Sequence, residues 1–349
     1  MRKYLLHFGF LFQDILLAKY LNNSLLYGLI FIKWRYIPLL CVAIFILIIS
    51  RLNFNYDFLD FVPFLVIVLS WCILISLLSF RPEKIHLKTM LILVAITVSL
   101  DLFQVNLYLS SLVDARYSGF WDNGRVAGMS REPSYFADYV FVVYIALFAI
   151  KRFSLALLYL ILLYVLTRAN SLLLYFAAFH IFYAVMRLYQ PNMRLRMSVS
   201  LIIIPLLVSY CISASGFAEW TFETHGSWRT ISNDLALKHA SFFPSLMSEF
   251  YIYGIGKYNI HWLAAIFGYF SIVFYSLGWF GGSLAYWFTC FLFWKLARAF
   301  FVDKRSWRAS YAAFLVFVLF APKWNLILLL TPIILKGFAI NSVRIIRKS

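Results

Sequence analysis

The sequence predicts an all-α polytopic integral membrane protein, and two observations carry that expectation. Its 349 residues are 64% hydrophobic and 13% charged, with a mean hydropathy of +0.85. No water-soluble core of this size hides so much apolar surface, so lipid serves as solvent for much of the chain. The basic residues also fall between long apolar runs, which is the distribution the positive-inside rule produces. That distribution argues against nucleic acid as a partner despite a formal charge of +17, since aromatic and basic residues do not interleave on a polar surface. Cys41, Cys72, Cys211 and Cys290 lie inside apolar runs, with neither disulfide nor metal spacing, and read as small buried hydrophobes.

Taken in order, residues 1–33 form an interfacial N-terminal segment, because 4–20 is apolar yet carries His7, Gln13, Asp14 and Lys19. No small-residue cleavage site follows a clean apolar stretch there, so no cleavable signal peptide is expected. The first span is 34–50, and the cations before it put the N-terminus in the cytoplasm. An outer loop at 51–60 leads to a second span, 61–80, then to inner-side Arg81, Lys84 and Lys88. A third span, 89–109, carries Asp101 within it. Residues 110–133 form an outer loop, and 134–150 cross back to Lys151 and Arg152.

Spans 153–167 and 171–188 follow as a tight pair joined by Arg168-Ala169-Asn170, with Arg187, Arg194 and Arg196 inside. After a span at 198–214 comes a large outer loop, 215–259, punctuated by Gly226, Pro244, Gly254 and Gly256. The apolar run 260–277 abuts the next, 278–296, with almost no loop, while Lys295, Arg298, Lys304, Arg305 and Arg308 belong inside. Residues 260–277 are therefore expected to be a re-entrant or interfacial apolar helix, shielded by protein. Two short spans, 310–321 and 324–335, precede the basic tail Arg344, Arg347 and Lys348. The sum is a single helical membrane domain over 1–349 with about ten transmembrane helices, N-terminus and C-terminus inside. No transporter-type internal repeat is visible.

This topology brings the loop before Glu132, the Arg168 turn and the large loop to one outer face. Arg125, Arg131, Arg168 and Arg229 all fall on that side, where few cations are expected. Guanidinium forks suit bidentate phosphate contacts and stay charged near lipid, so an anionic, membrane-tethered ligand fits. They neutralise a diphosphate leaving group where no divalent metal does so. No Asp-x-Asp, His-Glu-x-x-His or cysteine pair is present, and neither is a Gly-x-Ser-x-Gly elbow or a lysine-bearing phosphate loop. Asp57 and Asp60 are spaced like a carboxylate pair but read as solvated loop residues. Asp101 and Asp138 lie within spans, where ionisable residues are functional candidates.

The segment Arg125-x-x-Gly128-x-x-x-Glu132-Pro133-Ser134-x-x-Ala137 resembles the Arg…Gly…Glu-Pro-Ser signature of Wzy-type O-antigen and exopolysaccharide polymerases, whose plan the O-antigen ligases share. Thr167-Arg168-Ala169-Asn170-Ser171 is similar to the family's Ser/Thr-Arg turn opening a helix. Trp228-Arg229 followed by a helical stretch at 231–243 and Gly254-Ile255-Gly256 looks like its large outer loop, and Asn259 with Gly278-x-x-Gly281-Gly282 extends the likeness over about 100–300. The order Asn259-Ile260-His261 departs from the ligases, in which a His-Asn pair follows that loop.

What the resemblance implies is a metal-independent glycosyltransferase of the bacterial inner membrane, without cofactor, its site facing the periplasm. The growing glycan would pass from undecaprenyl diphosphate to a sugar hydroxyl of a second lipid-linked unit. Catalytic roles fall to Glu132, Arg168 and Arg229: the arginines bind the diphosphate, and Glu132 orients or deprotonates the acceptor or else pairs with Arg125 or Arg131. Substrate-binding roles fall to Arg125, Arg131, His225, His239, Asn259 and His261, with membrane lipid and a chain-length regulator protein as further partners. Two enzymatic or transport alternatives are an O-antigen ligase acting on lipid A core and a flippase or exporter of lipid-linked sugars. A non-catalytic scaffold is the third.

Overall fold

The computed structural model describes residues 34–38, 41, 68, 71–72, 74–76, 78, 87–105, 124–128, 133–188, 211, 214–216, 220, 269–300 and 303–320. Among them the chain is helical without strands: a 3-10 turn at Trp34–Tyr36, then α1 (Leu87–Leu102), α2 (Pro133–Ala149), α3 (Phe153–Thr167), α4 (Asn170–Leu188), α5 (Tyr269–Phe300) and α6 (Lys304–Phe320). By length and composition α4 can cross a membrane, and Met90–Leu102, Phe136–Ala149 and Phe153–Thr167 are shorter apolar helices.

The bundle is built around α2, which packs against α1, α3, α4 and α6. A helix apolar on every face belongs at a bundle centre, and every residue of α2 from Phe136 to Phe148 is buried. Helix α6 is its counterpart, buried from Ala309 to Leu319 and packed on α2, α4 and α5. Phe141 marks their junction with α4, its ring 5.5 Å from Tyr175, 5.9 Å from Phe179 and 5.6 Å from Phe317. Each such aromatic pair adds about 0.5–1.5 kcal/mol beyond its buried area. Residue 71 is helical too, and the Trp71 indole N–H donates to Thr289 Oγ1 of α5 at 2.8 Å.

Helix α3 differs. It buries the stripe Ala156, Tyr159, Leu160, Leu163 and Thr167, and exposes Leu155, Leu158, Ile161, Leu162 and Val165 by 45–64%. Both faces are apolar, so something other than the described residues or water must cover the outer one.

Helix ends explain where the sequence expectations held and where they did not. Arg152 and Arg168 bound α3 at the expected positions. Helix α1 breaks after Leu102, inside the expected span 89–109, as Gln104 turns left-handed (φ 59°) and donates its N–H to Asp101 O, and 106–109 lie outside the described residues. Helix α6 starts at Lys304 rather than 310 because Asp303 caps it: the Ser306 backbone N–H and hydroxyl both donate to Asp303 Oδ2 at 3.1 Å. The expected separation between 260–277 and 278–296 is absent. Tyr269–Phe300 is one continuous helix, 32 residues long, so 269–277 are its first turns rather than a separate re-entrant element. Glycines at 278, 281 and 282 do not break it, since intrahelical hydrogen bonding tolerates isolated glycines at about 1 kcal/mol each. Cys72 and Cys290 are buried as expected, whereas Cys41 and Cys211 are exposed; apolarity of a run does not say which of its faces protein covers. The spans expected at 324–335 and the segment 1–33 lie outside the described residues.

The two ends of the bundle differ in charge. Arg305 joins α6 to the α2–α3 corner, its Nη2 donating to Phe148 O at 3.0 Å and its guanidinium lying 4.7 Å from the Phe148 ring and 4.3 Å from the Phe153 ring. Lys151, Arg152, Arg187, Lys295, Arg298, Lys304 and Arg308 belong to the same end, because α3–α4 and α5–α6 are hairpins. Arg125 and Arg168 lie at the opposite end, where α3 finishes.

Candidate functional site

That opposite end is organised by a short irregular segment, 124–128, lying between the last turns of α1 and α3. Helix α3 ends with carbonyls that have no partner within the helix, and the segment supplies donors to three in succession. The Val126 N–H donates to Leu166 O at 2.9 Å. Arg125 Nε donates to Thr167 O at 3.1 Å, and Arg125 Nη2 to Arg168 O at 3.0 Å. A cation at a helix C-terminus also complements the macrodipole. Lysine could not do the same, because only the planar fork aims two N–H groups at two neighbouring oxygens.

The other half of the segment is tied to α1. Asp101 is fully buried, and its Oδ2 accepts the Ala127 N–H at 2.6 Å and the Gly128 N–H at 2.9 Å. Backbone amides satisfy a buried carboxylate that would otherwise be expensive to hold away from water. Gly128 takes a left-handed conformation (φ 60°), and a Cβ there would sit 3.0 Å from Phe136 in the first turn of α2. The segment therefore rests on α2 while bridging α1 to α3.

Arg168 is the residue this framework presents. It ends α3 in a left-handed conformation (φ 46°, ψ 35°), its N–H bonded to Tyr164 O at 2.7 Å. Glycine is the usual occupant of such a position, since a side chain costs about 1–2 kcal/mol there. Gln104 and Lys151 end α1 and α2 the same way, so helix termination explains the backbone. What distinguishes Arg168 is that its own carbonyl is held by Arg125. Its side chain is exposed, and the guanidinium passes over Gly124, with Nη1 3.6 Å from where a Cβ would stand. Among the described residues this guanidinium has no hydrogen-bond partner. It stands two residues before α4, whose N-terminal amides favour anions.

Of the residues singled out in the sequence, Arg125 and Arg168 are thus brought together, and Asp101 joins them from α1. Asp138 is buried within α2. Glu132, Arg131, Arg229, His225, His239, Asn259 and His261 lie outside the described residues. Thr167 was singled out as part of the Ser/Thr-Arg turn without a role of its own; its carbonyl accepts from Arg125, while its hydroxyl turns back to Leu163 O at 2.8 Å. Backbone acceptors leave no compositional trace, so no sequence signal marked the Arg125 contact to its carbonyl. Comparison with protein-family models, curated proteins and solved structures finds no match for this chain.

Proposed function

We propose that the chain is a polymerase of lipid-linked oligosaccharide repeat units, such as those of O-antigen or a related surface polysaccharide, in the bacterial inner membrane. The observation that carries this reading is the exposed Arg168 guanidinium, carried on a backbone whose carbonyl accepts from Arg125, at the bundle end away from the Arg305 corner. The positive-inside rule assigns the cation-rich end to the cytoplasm, so Arg168 faces the periplasm, with about ten spans in all. The exposed apolar ridge of α3 supports lipid as the surrounding medium.

In this mechanism a sugar hydroxyl of one lipid-linked unit attacks the anomeric carbon of a growing glycan on undecaprenyl diphosphate. The bond from that carbon to the diphosphate oxygen breaks, and undecaprenyl diphosphate leaves with the electron pair. Arg168 and Arg229 neutralise the charge on the leaving group, a task that preorganised cations perform well at a water-poor boundary. Glu132 takes the hydroxyl proton. His225, His239, Asn259, His261 and Arg131 are assigned to contacts with the glycan or its diphosphate, and Arg125 assists through the Arg168 turn; a chain-length regulator is a partner consistent with polymer synthesis.

The test is the glycan ladder on the cell surface. Deleting the gene should leave lipid A core capped with a single repeat, and Arg168→Ala or Arg229→Ala should reproduce that pattern with the protein still in the membrane. Uncapped core with free polymer would instead indicate a ligase. Normal long chains in both variants would indicate a flippase or a scaffold.

A further inference from the structure

We infer that Asp101 and Arg125 are positioning residues that fix the backbone carrying the Arg168 guanidinium, which meets a diphosphate group, an inference that rests on the polymerase reading for the identity of the natural ligand. The two act in series. The Asp101 carboxylate holds Ala127 and Gly128 by their amides, at 2.6 and 2.9 Å, and so fixes the direction in which the segment leaves Gly128. Two residues earlier, Arg125 and Val126 clamp the carbonyls of Leu166, Thr167 and Arg168. The turn between α3 and α4 cannot shift without breaking these bonds, because residues 166–168 are all held on one side.

The clamp also sets a division of labour between the two arginines. Two of the five N–H donors of Arg125 point at the chain's own carbonyls. Its orientation is therefore dictated by α3, and a ligand could not draw it away without freeing two helix-terminal oxygens. Arg168 is under no such constraint at its guanidinium, while its backbone is the better fixed of the two. A diphosphate therefore meets a mobile fork on a rigid base, and the rigidity comes from a carboxylate buried in α1. Preorganisation of this kind raises affinity by lowering the ordering cost of binding.

Inorganic pyrophosphate is the probe, titrated calorimetrically into the full-length protein in detergent, alongside hydrogen–deuterium exchange of peptides covering 124–128 and 164–170. The wild-type protein should bind pyrophosphate, and Arg168→Ala should abolish binding. Asp101→Ala and Arg125→Ala should each weaken it by about tenfold and speed exchange at 164–170, although neither side chain need touch the anion. Asp101→Asn, which keeps an acceptor oxygen, should fall between wild type and Asp101→Ala. If Asp101→Ala does not fold, Arg125→Ala and Arg125→Lys give the same two readouts. Pyrophosphate affinity is the measurement that a merely scaffolding Asp101 would leave unchanged in folded protein. Wild-type affinity and exchange in these variants, or no pyrophosphate binding by the wild type, overturns the inference. Should the wild type make no polymer yet show the variant effects, the polymerase reading falls and the positioning role stands.

Discussion

The Arg125 side chain donates from Nε to Thr167 O at 3.1 Å and from Nη2 to Arg168 O at 3.0 Å, so one arginine closes the helix that another arginine terminates. Hydrogen bonds from a charged donor are stronger than neutral ones, and a partly exposed pair of this kind is worth about 1–3 kcal/mol. Arg125→Ala should lower the unfolding free energy in detergent by that amount. Arg125→Lys should recover less than half of it, because a point charge reaches one oxygen at a time. Equal stability of the lysine and arginine forms would show that charge alone, and not the fork, holds the turn.

Gly128 and Gly124 make a matched comparison. Both are left-handed, at φ 60° and 61°, but a Cβ at Gly128 would lie 3.0 Å from Phe136, whereas one at Gly124 would make ordinary contact with Arg168 at 3.6 Å. Gly124→Ala should lose only the backbone term, about 1 kcal/mol. Gly128→Ala should lose about 1–3 kcal/mol more through overpacking. Adding Phe136→Leu should restore part of the loss at 128 and nothing at 124, as read from thermal unfolding of the four variants.

Arg305 fastens α6 to the α2–α3 corner through one hydrogen bond and two aromatic faces. Arg305→Gln removes the cation while keeping a donor, and should destabilise by about 1–2 kcal/mol through the lost cation–π contacts. Arg305→Ala should cost more, since Phe148 O then loses its donor as well. Because this corner is at the far end of the bundle from Arg168, pyrophosphate affinity should be unchanged in the Arg305→Gln protein.

The outer ridge of α3 should face lipid. Spin labels placed singly at positions 158 and 162 in liposomes should collide with dissolved oxygen far more often than with a water-soluble nickel chelate. A label at 168 should show the reverse preference. Preferential collision with the chelate at 158 and 162 would mean that the exposed leucines are covered by something other than hydrocarbon.

Much of this architecture was legible in the sequence because charge and apolar runs alternate so sharply. Helix α3 is an uninterrupted apolar run between Arg152 and Arg168, and its bounds followed from that alone. The start of α6 did not, because Lys304, Arg305 and Arg308 look like an inner loop until Asp303 is recognised as a cap and Arg305 as an aromatic-stacked anchor. The long α5 was divided on topological grounds, yet a helix of 32 residues is about 48 Å long and outruns the hydrocarbon thickness without a break. At the site, the neighbourhood of Arg125 and Arg168 was inferred from their shared side of the membrane. Their actual contact is between a side chain and a backbone carbonyl, which no residue type announces. Asp101 was marked only as an ionisable group within a span; its work on the Ala127 and Gly128 amides depends on where α1 breaks, a point that the apolar run does not mark.

Purified protein, supplied with undecaprenyl-diphosphate-linked repeat units alone and with EDTA present, tests whether guanidinium groups carry the leaving diphosphate without a metal. A ladder of lengthened glycans that disappears in Arg168→Ala is the predicted result. A ladder that needs added magnesium, or product formed only when lipid A core is supplied as acceptor, would contradict it.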